Sequence, residues 1–399
     1  MSTYIIKHSS YSGIVMNIND IVLSNDPIVS FTQQGDDVAM THSTSIMAFY
    51  YPYIAIADAD EEKVFIYKIT SDGCVLDSTI SSPVKGIDFG YSISIKDKVL
   101  AIGAPGYNDN TGIVYVYFLM NNEWSSSPNH TINIVSNGDL TKLGSTVHVS
   151  EHYIMASAPG KKDNNSIVGS VELFYYNYVI DIYELEHTFF SNQPKLSNNF
   201  GSTIDMIGDD MIFISSPNGS VTSGTTKDSA GFVEIFVKGS NGWTYDSTLT
   251  STAPTASGNF GSSISAQIGR TIIGEPGSNT VHVFDYHAPN WNILESFSFQ
   301  TTGDFVDSTV KSTDLQGESV AQSVSERIVL WGAPDNNVSG CVYVVETTPA
   351  GNWVPSITYK LSKNTSTSDK FGQSILFNGE FLVVSQPGSG NGSISIYKK

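Results

Sequence analysis

Apolar and polar positions alternate with a period of two over short runs along almost the whole chain. YSISI, STVHVS, STIDMI, SSISAQ and SILFN all read this way. Such runs predict half-buried β-strands, because successive side chains of a strand point to opposite faces. Each run is followed by a tight turn, of which Asn378-Gly379 is the strongest hairpin signal. Then comes a more continuously apolar stretch, such as VLAIGAP or FLVVSQP, as expected of a strand covered on both faces. Its proline ends the ladder, since proline has no N–H to donate. A polar loop leads to a third strand, IVYVY or FVEIF, and a second turn opens a fourth. That fourth strand begins near a tryptophan at Trp124, Trp243, Trp291 and Trp353. No stretch of 11 or more residues carries a helical period.

This four-strand unit repeats. A degenerate copy opens near Met40–Ser43, with Ala57-Asp58-Ala59 in the place of a Gly-Ala-Pro. Clearer copies open at Phe89, Leu143, Phe200 and Phe260, a weak one at Val320-Ala321, and the last at Phe371. Successive openings from Phe89 onward lie 54, 57, 60, 60 and 51 residues apart, the length of a four-stranded propeller blade with moderate loops. The expected fold is all-β: one domain, 1–399, forming a seven-bladed β-propeller with four-stranded antiparallel blades. Residues 38–399 supply seven repeats. The seventh ends after its third strand, so the segment 1–37 is expected to close the ring by adding the outer strand of the last blade. Turns are assigned to Lys96-Asp97 and Gly208-Asp209.

Phe-Gly-x-Ser/Thr, a Gly-Ala-Pro about 14 residues on, and then Gly-x-Val-Tyr-Val-Phe resemble the FG-GAP repeat of integrin α-subunits and many other propellers. The resemblance covers about residues 38–399. It implies the seven-bladed fold and leaves function open, because the same propeller serves adhesion, glycan binding, assembly and a few enzymes. Integrin-type repeats often carry a calcium loop between the first two strands. Here that connection is two residues long in most units, too short to supply six or more oxygens. The resemblance is therefore to the calcium-free type, and no metal or cofactor is expected.

Charge narrows the partners. The chain carries 39 acidic and 20 basic residues, a formal net charge of -19, dispersed along its length. That field disfavours nucleic acid and anionic membrane surfaces. Cys74 and Cys341 are the two cysteines, and neither has metal-ligand spacing, which points to a reducing compartment. The N-terminus lacks the basic start and apolar core of a signal peptide, and no apolar run reaches the ~18 residues of a membrane span. A cytoplasmic or virion-associated location is expected. The six Asn-x-Ser/Thr sequons are read as chance in a chain rich in Asn and Ser.

Candidate chemistry is sparse. The recurring Gly-x-Ser of Gly90-Tyr91-Ser92 and Gly261-Ser262-Ser263 lacks the closing glycine and the helix of a nucleophile elbow. His148 and His152 flank a turn, and the acidic cluster Asp58, Asp60, Glu61, Glu62 has ordinary turn composition. Among the first strands Asp205 is the exceptional charge, against the two carboxylates a glycan-cleaving enzyme requires. The longer, more variable second-to-third and fourth-to-first connections share one face, and recognition tends to reside on such loops. Tyr107, Asn108, Asp109, Asp163, Asn164, Asp228, Asp335 and Asn336 are accordingly the candidate ligand-binding residues. The expected function is a non-enzymatic scaffold presenting that face to a protein or glycan. The rivals are a propeller lectin, with aromatics such as Trp331 exposed between blades, and a propeller hydrolase or lyase acting on glycans.

Overall fold

The computed structural model describes residues 29–32, 46–58, 60–70, 73–134, 139–164, 166–194, 198–287, 290–297, 314–323, 328–336, 339–347, 353–362, 370–387 and 392–398. The chain divides into two compact units, Ile46–Ile268 and Met1–Ser45 with Gly269–Lys399. Its class is an all-β propeller of seven four-stranded antiparallel blades.

The larger unit holds four blades. The first has strands Ile46–Tyr50, Tyr53–Asp58, Lys63–Thr70 and Gly73–Ser81, in sheet order. The second has Ser92–Lys96, Val99–Ala104 and Ile113–Met120, with a broken fourth strand at Glu123–Trp124 and His130–Ile132. The third has Val147–Val149, Tyr153–Ala158, Ser170–Asn177 and Ile182–Phe189. The fourth has Ile204–Ile207, Met211–Ser216, Phe232–Gly239 and Gly242–Leu249, and the strand Ser263–Gln267 follows it.

In the smaller unit, Arg270–Glu275, Thr280–His287 and Asn290–Phe297 are paired in that order. The sixth blade comprises Val320–Ser323, Ile328–Ala333, Cys341–Thr347 and Trp353–Ser362. The last comprises Ile375–Phe377, Phe381–Gln386 and Ser393–Lys398, and its outer strand is Val29–Thr32, paired antiparallel from Val29 opposite Ile396 to Thr32 opposite Ser393. The VSF of the run PIVSF thus lies in the strand that completes the final sheet, while its Pro27-Ile28, IIKHS and GIVMNI lie outside the described residues.

The Phe-Gly and Gly-Ala-Pro signatures hold neighbouring blades together. Phe89, Phe200, Phe260 and Phe371 are buried, and so is Leu143, which replaces the aromatic ring in the third blade. The glycine that follows each sits at a φ of 88–93°. A side chain there meets strain and atoms: a Cβ added at Gly261 would lie 3.0 Å from the Ser215 Cβ of the preceding blade. The Ser/Thr two positions beyond the glycine bridges forward to the next blade. Ser92 donates to the Gly144 carbonyl at 2.7 Å, Thr203 to Ser262 at 3.0 Å and Ser319 to Gly372 at 3.0 Å. These hydroxyls are spent on inter-blade bonds, as the structural reading of the Gly-x-Ser repeat requires.

Three sequence assignments shift. The sixth repeat opens at Gln316-Gly317, not Val320-Ala321: Gly317 has the signature φ of 86°, and Gln316 is buried where the other blades put Phe. A glutamine at the aromatic position hid the motif. The first turn of the second blade is Asp97-Lys98, because Lys96 pairs with Val99. The corresponding connection in the fourth blade is the three residues 208–210, because Ile207 pairs with Met211. A register shift recurs where the third strand meets the fourth, at Ile66/Tyr67, Leu173/Phe174, Ile235/Phe236, Val283/Phe284 and Val345/Thr347. Such a bulge adds twist at the same point in these five blades. No helix of the described residues is long and apolar enough to cross a membrane.

Candidate functional site

Among the described residues, the third-to-fourth turns of the second and fourth blades are short and polar. In the second blade the turn is Asn121-Asn122, both with positive φ, and in the fourth it is Ser240-Asn241. The third blade departs from this. Its ladder ends at Asn177 opposite Ile182, leaving a four-residue loop, Tyr178-Val179-Ile180-Asp181. Three consecutive large apolar residues therefore face solvent, with relative exposures of 78%, 91% and 53%.

The loop is built to hold them there. The Asn177 side-chain oxygen accepts the Val179 N–H at 3.0 Å, and its carbonyl accepts the Asp181 N–H at 2.9 Å. Asp181 takes a left-handed φ of 57° and accepts the Tyr176 hydroxyl. That hydrogen bond, with burial second, pushes the Tyr176 hydroxyl pKa up to about 12. Beneath the loop, Glu184 accepts the Tyr175 hydroxyl and the Asn177 amide, and these bonds hold its carboxyl below the usual range.

Rings from two blades pack behind the loop. Tyr178 meets Tyr176 edge-on, with centroids 4.6 Å apart, and Tyr176 meets Tyr183 at 5.1 Å. From the second blade, His130 approaches Phe118, Tyr176 and Tyr183 at 5.2, 5.4 and 5.6 Å. Edge-to-face pairs of this kind add to the stabilisation given by burial. Burial raises the Tyr183 hydroxyl pKa. Beside this cluster lies a cavity of about 350 Å³, lined by Phe118, Met120, Tyr153, Tyr176, Tyr178 and Tyr183 among others, with Lys98, Glu151 and His152 also on its wall. His152 is paired with Asp209 of the fourth blade. Met120, Ile182 and Leu185 extend the exposed apolar surface.

The residues singled out on the opposite connections are dispersed. Asn108 and Asp109 are exposed at left-handed φ values of 47° and 55°, while Tyr107 is half-buried against the core. Asp163 and Asn164 sit on a small exposed hairpin formed by Lys162–Asp163 and Ser166–Ile167. Asp228 is exposed and accepts the Ser220 hydroxyl. In the other unit Asp335 is half-buried, and Asn336 is fully buried. The Asn336 side chain is used internally: it donates to Asp314 at 2.7 Å and accepts from Lys360 at 2.8 Å, so solvent does not reach it. A second cavity of about 350 Å³ lies near the Asp163 hairpin, lined by Leu140, Lys142, Ile167 and Phe200 among others.

Other polar candidates are also committed within the fold. Asp205 accepts the Met206 N–H at 2.8 Å and, from the neighbouring strand, the Ala266 N–H at 2.7 Å; His148 stands 3.8 Å away. Burial raises the Asp205 carboxyl and lowers His148. Asp58 is buried, and Glu62 accepts the Gly86 and Ile87 N–H groups, so this acidic cluster stitches one blade to the next. Trp331 is fully buried against Tyr343 and offers no exposed sugar platform. Among the described residues, no group of three or more His, Cys, Asp or Glu is arranged to hold a metal ion.

Gly and Asn turn signals do not reveal the apolar loop, which has neither at its tip. The legible clue is the run YNYVID, which sets Tyr-Val-Ile where the second and fourth blades have Asn-Asn and Ser-Asn. Comparison with known proteins bears on the fold. The chain is similar to the crystal structure of Saccharomyces cerevisiae Sqt1, with a TM-score of 0.50 and 12% identity over 94% of this chain and 100% of that one. No family model matches the chain, and no curated protein matches it in sequence. The FG-GAP likeness thus rests on the sequence motif, while the structural comparison supports the propeller fold.

Proposed function

We propose that the protein is a non-enzymatic binding scaffold that docks a protein partner on the face built by Tyr178, Val179 and Ile180. The observation that carries this reading is the exposure of three large apolar residues in a row on a loop fixed by its own hydrogen bonds. Contiguous exposed apolar surface marks interaction sites. A pre-ordered loop loses little entropy on binding. The aromatic and methionine side chains around it are types enriched at interfaces. A glycan-cleaving centre finds less support, since Asp205 has both oxygens occupied by backbone N–H groups. A lectin reading loses its proposed tryptophan, which is fully buried.

The test is a triple variant, Y178A/V179S/I180S. Exposed Val179 and Ile180 change stability by about 0.5 kcal/mol or less, and loss of the Tyr178–Tyr176 ring contact adds about 0.5–1.5 kcal/mol. The variant's urea unfolding should therefore remain one cooperative transition, with a midpoint only slightly below that of the intact chain. Affinity capture from the source cells should yield a protein held by the intact chain and lost by the variant, and purified components should reproduce the difference. Equal capture by both, or hits on a glycan array that survive the substitution, would remove the reading. The cavity beside the Asp163 hairpin defines the second candidate surface, and I167S with L140S is the matching control.

A further inference from the structure

The chemistry of the rim says what kind of partner fits. We propose that the docked element is a basic polypeptide segment carrying one large apolar side chain, which enters the cavity beside Tyr176 and Tyr178 while its Lys or Arg neighbours meet the surrounding carboxylates; this rests on the surface assigned above. Two observations converge on it. First, the cavity of about 350 Å³ is small for a ligand site, which suits a single anchoring side chain, and its walls are mostly aromatic and aliphatic. The exposed Met120 at its edge is adaptable and can repack around an anchor.

Second, the nearby turns are acidic. Glu123 opens the strand after the Met120 turn, Glu151 lines the cavity, and Asp210 closes the turn beside the His152–Asp209 pair. All three carboxylates are exposed, and none has a hydrogen-bond or ion-pair partner among the described residues. Lys98 is the lysine on the cavity wall. The chain as a whole adds a net charge of -19. An acidic partner would face this field and these unpaired carboxylates, whereas a basic one is steered toward them. Aromatic faces also attract guanidinium and ammonium groups, and Lys238 already lies 5.1 Å from the Tyr153 ring centroid.

The experiment selects random dodecapeptides displayed on phage against the full chain, then measures the winners as synthetic peptides by fluorescence anisotropy. Two variants are compared with the intact protein: Y178A/V179S, which removes the apolar loop, and E123Q/E151Q/D210N, which removes the rim charge alone. A single cooperative urea transition confirms that both are folded. The expected winners carry Trp, Phe or Leu flanked by Lys or Arg, and they lose tenfold or more in affinity on each variant. Winners that need the apolar loop but are acidic or uncharged, and that bind the charge variant equally, would overturn the basic-segment proposal while leaving the docking face in place. Failure to recover any peptide sensitive to Y178A/V179S would remove both.

Discussion

At the scale of single residues, the repeat is held by glycines that tolerate no side chain and by buried polar groups that vary from blade to blade. Gly261 combines a φ of 93° with a Cβ position 3.0 Å from both Ser215 Cβ and Val233 Cγ2. Gly261→Ala is expected to cost about 1–3 kcal/mol in urea unfolding. Gly224→Ala, at a φ of 71° with open space around it, should cost less, about 1 kcal/mol. Equal losses would show that backbone conformation, not blade contact, sets the requirement. Glu234 is a different case. It is fully buried, one oxygen accepts the Asn192 N–H at 2.9 Å, and the other has no partner. Burial lifts its carboxyl above the ordinary value of 4.5 despite that bond and the nearby Ser191. The folded chain then binds this proton more tightly than the unfolded one, so the contribution is most favourable below about pH 4.5 and declines as pH rises toward the folded-state pKa. Relative to Glu234→Gln, the intact protein should gain stability as pH falls from 7 toward 4. A difference in urea midpoint that stays flat over that range would contradict the assignment.

At the scale of strands and turns, period and turn chemistry made the blades legible, and the places they failed have physical reasons. Alternation in SILFN and the Asn378-Gly379 turn identified a hairpin that the structure contains, with Phe377 paired to Leu382. The opening of the sixth blade was misplaced because Gln316 fills an aromatic site and bonds the Trp331 ring nitrogen at 3.4 Å, an exchange no periodicity reports. The candidate site was hardly legible. Loop length pointed to one set of connections, but exposure of Val179 depends on where the ladder to Ile182 stops, and burial of Asn336 depends on partners as distant as Asp314 and Lys360. The edge strand Val29–Thr32 supports a prediction at this scale. Deleting residues 1–32 leaves the outer edge of Ser393–Lys398 unpaired. The expected loss is about 2–4 kcal/mol for a few ladder hydrogen bonds, with new concentration-dependent association through the open edge. Unchanged thermal unfolding and light scattering would show that this pairing contributes little.

At the scale of the whole molecule, sequence composition and repeat count carried the fold class, and charge underlies the proposed partner chemistry. A net charge of -19 should steer a basic partner at long range. Raising ionic strength from about 0.02 to 0.5 M is then expected to slow association roughly tenfold, with a smaller change in dissociation. Stopped-flow rates that ignore salt would place the affinity wholly in the apolar contact. The pairing of Val29–Thr32 with Ser393–Lys398 also sets a timetable for synthesis. The first of these strands leaves the ribosome about 360 residues before the second. At ~5–20 residues per second it waits about 20–70 s for its mate. During that interval the final sheet is the last part of the nascent chain able to assemble, and an early strand must be kept from pairing with the edges of blades already made.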